Sequence, residues 1–130
     1  MSKPVDKRYS LKLAGEIRFG PQYFDLEING KKIADYFYGF DRAEFENGRY
    51  LAIEEWLTTD YQKGPVTRVA IFDLDKGFVA RLKVVEKGFV SEFRLNDGVF
   101  LYKKKFPAKG EAIETEVVWS AIKNWAPVSS

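Results

Sequence analysis

A period-two alternation of apolar and polar residues, cut at short intervals by Asx-Gly pairs, constrains this chain more than any other feature. Tyr9, Leu11 and Leu13 alternate with Ser10, Lys12 and Ala14, and Phe24, Leu26 and Ile28 alternate with Asp25 and Glu27. Successive side chains of a strand point to opposite faces, so such runs predict half-buried strands. Asn29-Gly30 follows at once, and the chain returns through Lys31 to Tyr38. Both central residues of a type I′ turn need positive φ, which Asn and Gly adopt at least cost, so the pair predicts a hairpin. The same grammar recurs at Asn47-Gly48, Lys76-Gly77, Lys87-Gly88 and Asp97-Gly98. A further strand is expected at the end, over Glu114 to Ile122. No stretch carries a sustained 3.6-residue apolar stripe. The expected fold is all-β: a single antiparallel meander, a sandwich or a partly open barrel of about eight to ten strands. At most one or two short helical turns are expected, over residues 41–46 and 121–125.

The 130 residues predict one domain, 1–130, with 1–7 and 128–130 frayed. A chain of this length buries roughly two thirds of its unfolded surface. Eleven Phe, seven Tyr and three Trp supply large side chains for that core. A net charge of +2 with 45% hydrophobic residues argues against disorder. The sequence has no cysteine and no histidine. Disulfides, thiol nucleophiles and cysteine-based zinc sites are therefore excluded, as are Ser-His-Asp and Cys-His catalysis. A non-enzymatic role without a cofactor is the expectation. No apolar run approaches the roughly 18 residues of a membrane helix, and Met1 to Arg8 lacks the apolar core of a signal peptide. A cytoplasmic location and no membrane partner are expected.

The run Phe45-Glu46-Asn47-Gly48-Arg49-Tyr50-Leu51-Ala52 is followed by a strand ending Ile71-Phe72-Asp73-Leu74-Asp75-Lys76-Gly77. Residues 45–77 resemble a TolB-type β-propeller repeat, whose strands carry an F-x-x-D-G-R-Y-L-A run. Here Glu46-Asn47 replaces the family's Pro-Asp turn and the run is one residue short. A faint echo recurs about 50 residues on, at Asp97-Gly98-Val99-Phe100-Leu101 and Thr115-Glu116-Val117-Val118-Trp119. The resemblance implies a shared hairpin grammar, since a full propeller needs at least about four blades.

Several clusters invite a functional reading. Asp73 and Asp75 offer oxygens to a cation but lack the spacing of a calcium loop, so a turn is expected and no metal site. Glu54 and Glu55 are adjacent on a strand and must point to opposite faces, which separates them as an acid/base pair. An inward-facing one needs a partner such as Arg49 or Arg68. Lys103-Lys104-Lys105 reads either as protection of a sheet edge or as part of a single-stranded nucleic-acid surface; the small net charge makes nucleic acid the weaker partner. Gly15, Gly20 and Gly30 lie too far apart for a phosphate cradle. Residues 41–60 are acidic and follow the aromatics Tyr36, Phe37, Tyr38 and Phe40. Aromatics beside a charged rim suit a protein interface. The candidate interface is Tyr36, Tyr38, Asp41, Glu44, Glu54, Glu55, Asp60 and Tyr61.

In size and surface the chain resembles bacterial immunity proteins, which neutralise a toxin. The resemblance implies an inhibitor whose acidic patch steers it to a basic partner. Two alternatives stand beside it: a β-barrel that binds a small ligand or hydrolyses it, and a single-strand nucleic-acid binder.

Overall fold

The computed structural model describes residues 8–129. The strands are β1 (Tyr9–Glu16), β2 (Gln22–Ile28), β3 (Lys31–Lys32), β4 (Phe37–Phe45), β5 (Tyr50–Trp56) and β6 (Val66–Asp73). They continue as β7 (Phe78–Arg81), β8 (Val85–Glu86), β9 (Phe89–Asn96), β10 (Val99–Phe106), β11 (Glu111–Val118) and β12 (Ala126–Pro127). The fold is all-β, and β3, β8 and β12 are two-residue bridges. One sheet runs β1-β2-β4-β5-β6-β7-β12, with β3 on β2 and β8 on β6; a second runs β11-β10-β9. Every pairing is antiparallel.

The turns follow the Asx-Gly grammar. Asn29 and Gly30 have φ of 51° and 82°, and Asp97 and Gly98 have 48° and 76°. Left-handed backbone at both central residues matches the right-handed twist of the strands it joins. The two sequence echoes occupy equivalent places in two meanders. Asn47-Gly48 links β4 to β5 and Asp97-Gly98 links β9 to β10, while the Thr67 run lies in β6 and the Thr115 run in β11 up to Val118, with Trp119 opening the helical turn that follows.

The large sheet curls on itself without closing. The Tyr9 hydroxyl on β1 donates to Glu44 on β4 at 2.8 Å, Arg8 pairs with Asp75 in the turn after β6, and the Ala34 N–H donates to Ser129 O at 3.3 Å. Inside the curl lie Tyr9, Leu26, Ile33, Tyr38, Leu51, Ile53, Phe72 and Val79. A second core fills the space between the sheets, with Ala52, Val69, Ile71, Val90, Phe93, Phe100 and Tyr102. Strands β5 and β6 therefore have core on both faces, which explains their nearly unbroken apolar runs.

Four expectations are corrected here. Residues 41–45 are strand and not a helical turn, because Ala43, Glu44 and Phe45 pair with Ala52, Leu51 and Tyr50. The helical turn near the end covers Trp119–Ala121, and another covers Pro107–Lys109. Val128 and Ser129 are not frayed: the Val128 N–H donates to Gly77 O at 3.0 Å and its side chain packs on the inner core. Lys103-Lys104-Lys105 lies on β10, the middle strand of the small sheet, so it protects no edge. Lys103 and Lys105 instead pair with Glu92. Residues 1–7 and 130 lie outside the described residues.

Candidate functional site: an aromatic pocket over Glu54

Strand β4 breaks its ladder with β5 between Tyr38 and Arg42, so Gly39, Phe40 and Asp41 stand outside regular pairing. Gly39 has no side chain, and the Glu54 carboxyl fills the space that a Cβ there would occupy. Across the gap β9 is one of the two edge strands of the small sheet. Its Val90 N–H donates to Glu54 Oε2 at 2.9 Å, while Trp56 Nε1–H donates to Glu54 Oε1 at 2.8 Å. One carboxyl thus ties the two sheets together and satisfies an edge N–H that no strand reaches.

Above this carboxyl opens a cavity of about 440 Å³. Phe24, Phe40, Trp56 and Phe89 form its apolar walls; Gln22, Asp41, Glu54, Ser91 and Lys105 supply its polar groups. Phe24 and Phe40 lie 5.7 Å apart by ring centroid, and Trp56 lies 6.4 Å from Phe89 and 5.5 Å from Tyr61. Ser91 is 4% exposed, and its hydroxyl has no hydrogen-bond partner among the described residues. The buried Tyr61 hydroxyl behind Trp56 is likewise unpartnered among them.

Glu54 is 7% exposed. Burial pushes its pKa up to about 7, outweighing the two N–H donors; nearby Asp41 adds to the rise and Lys105 opposes it. Among the described residues no counter-charge reaches the carboxyl directly; Lys105 pairs with Glu92 at 3.1 Å. An acid in an aromatic pocket, short of a cation, is the arrangement that the site offers chemically.

Glu55 points the other way, into the curled sheet, and is fully buried. Oε1 accepts from Arg68 Nε at 2.7 Å and Arg81 Nε at 2.8 Å; Oε2 accepts from the Tyr38 hydroxyl at 2.7 Å. Both guanidiniums stack on the Tyr36 ring, at 4.9 and 5.0 Å. This acid has its charge answered twice. Burial, with the Glu55 charge added, raises the Tyr38 pKa and keeps the hydroxyl a donor.

The candidate interface residues therefore divide. Asp41, Glu54 and Tyr61 gather at the aromatic pocket. Tyr36, Tyr38 and Glu55 form the internal cluster; Tyr38, Glu54 and Glu55 are buried and cannot serve as open interface surface. Their burial corrects the single acidic patch, because β5 is covered on both faces. Glu44 is exposed and accepts from Tyr9, and Asp60 is exposed in the loop after β5, where its carboxylate accepts the Gln62 N–H. Asp73 is bound into its turn: Oδ1 accepts the backbone N–H of Asp75 and Lys76 at 3.1 Å each, and Arg49 reaches both oxygens. Burial raises its pKa, but these donors outweigh burial and the net shift is downward.

Sequence reading missed Phe89, Val90, Ser91 and Lys105. They lie far from Glu54 in sequence, and only the packing of the second sheet brings them there. No family model, no curated protein and no solved structure matches the chain.

Proposed function

We propose that this chain is a non-catalytic protein-binding domain that anchors a Lys or Arg side chain of its partner in the pocket over Glu54. The observation that carries the reading is the buried Glu54 carboxyl, held by neutral donors alone within aromatic walls. A cation seated there meets ring faces and an acid together, each cation–π contact adding about 0.5–2 kcal/mol. The rim favours a macromolecule over a free amine. Phe40 is 63% exposed at the mouth, Pro21 lines it, and Phe19, in the same β1–β2 loop, is 97% exposed. Exposed apolar groups around one deep anchor describe a binding hot spot. A domain of this kind acts by occupancy, as an inhibitor that covers a basic surface of its partner.

The test is titration with short peptides holding Arg, Lys or neutral citrulline between apolar residues, followed at the Trp56 indole N–H resonance. Arg and Lys peptides are expected to move that resonance, and citrulline to leave it in place. In E54Q the cation preference should vanish. Equal binding of the citrulline peptide, or an unchanged preference in E54Q, would remove the anchor from the account.

A further inference from the structure

A second cavity, with the opposite charge character, opens elsewhere along the seam between the two sheets. It measures about 390 Å³ and opens between the end of β7, the inner face of β10–β11 and the segment 119–124. Leu82, Tyr102, Val117 and Ile122 give it apolar walls. Asn124 Nδ2 donates to Arg81 O at 2.8 Å and holds the last wall against β7. Size and lining fall within the range of small-molecule sites, about 300–1,000 Å³.

Its polar groups stay open to the cavity or to solvent, and its lysines are left without an acidic partner among the described residues. Lys83 and Lys104 both line it, and neither makes an ion pair among the described residues, although Lys103 and Lys105 on either side of Lys104 both reach Glu92. Tyr102 is 2% exposed, and its hydroxyl makes no side-chain hydrogen bond to the described residues. Burial alone raises its pKa, so the hydroxyl remains a donor at neutral pH. Thr115 sits opposite Tyr102 on β11 and adds a second hydroxyl. Two further charged residues line the cavity. The Arg81 guanidinium is committed to Glu55 on the far face of the large sheet. Glu116 follows Thr115 on the strand, so alternation turns its side chain to the opposite face.

We infer that this cavity binds a small monocarboxylate with an apolar body, its carboxylate held by Lys83, Lys104 and the Tyr102 hydroxyl. The body lies against Leu82, Val117 and Ile122, and the head group gains charge-assisted hydrogen bonds in a partly desolvated site. The site is independent of the Glu54 pocket: the two share no lining residue.

The experiment uses 1-naphthoate as the probe, 1-naphthylmethanol as its neutral counterpart, and fluorescence or calorimetric titration of the whole chain. Saturable one-to-one binding of the naphthoate is expected, with the alcohol at least ten-fold weaker. K83Q/K104Q alters two residues outside the core and should weaken naphthoate at least ten-fold. Y102F keeps the ring and should weaken it several-fold. E54Q should bind as the wild type does. The inference is overturned if no saturation occurs at millimolar probe, if the alcohol binds as well, if K83Q/K104Q binds unchanged, or if E54Q abolishes binding.

Discussion

Glu54 should make this protein lose stability as the pH rises from 5 to 8. Its carboxyl has a pKa near 4.5 in the unfolded chain and about 7 in the folded one, chiefly through burial. Below pH 4 both states are protonated, and the group's contribution is fully present. As the pH rises, the unfolded state releases its proton first, while the folded state holds on until about 7. In that window the folded state binds more protons, so unfolding becomes easier with rising pH. Between pH 5 and 8 the loss amounts to about 2–3 kcal/mol. That is on the order of 1 M in the urea midpoint for a chain of this size. The window is unusually clean, because the sequence has no histidine and no cysteine to titrate within it. Urea unfolding of the wild type and E54Q at four pH values reads the effect. Gln offers one acceptor where Glu offers two, so one of the Trp56 and Val90 donors is left unpaired, at a cost of about 1–3 kcal/mol. Only the difference in slope is therefore diagnostic. A second readout is direct: of three indole N–H resonances, the one bonded to Glu54 should titrate with a midpoint near 7. Parallel slopes in the two proteins, or three indole resonances flat from pH 5 to 9, would show that Glu54 does not titrate in this range.

Three further substitutions separate the parts of the structure. E55A leaves two guanidiniums without their carboxylate in the curled sheet and should lower stability by about 3–5 kcal/mol, read as a fall in the urea midpoint. G39A places a methyl group on the Glu54 carboxyl; about 1–3 kcal/mol of destabilisation is expected, with a displaced Trp56 indole resonance. At Gly98 a methyl group meets no neighbour within 4 Å, yet the φ of 76° is left-handed, so G98A should cost about 1–2 kcal/mol through the backbone alone. A G98A protein as stable as the wild type would contradict the turn geometry.

Alternation and Asx-Gly pairs carry most of the fold because both act locally: one sets faces, the other sets where the ribbon reverses. They say nothing of how far a sheet curls or what lies on it, and that is where the reading of the acids went astray. The sequence placed Glu54 and Glu55 on opposite faces of one strand, and they are there. An interface drawn through both acids needs β5 to be open on its faces, and both acids are buried. The contrary signal was nonetheless present. Leu51-Ala52-Ile53 and Val69-Ala70-Ile71-Phe72 are unbroken apolar runs on neighbouring strands, and such runs belong to strands covered on both sides. Two adjacent acids in a doubly covered strand need two separate sets of partners. Glu55 finds two arginines and a tyrosine. Glu54 finds an indole and a peptide N–H, which satisfy its oxygens without answering its charge. That asymmetry raises its pKa, and the proposed cation anchor rests on the same carboxyl, so the pH slope and the peptide preference should disappear together in E54Q.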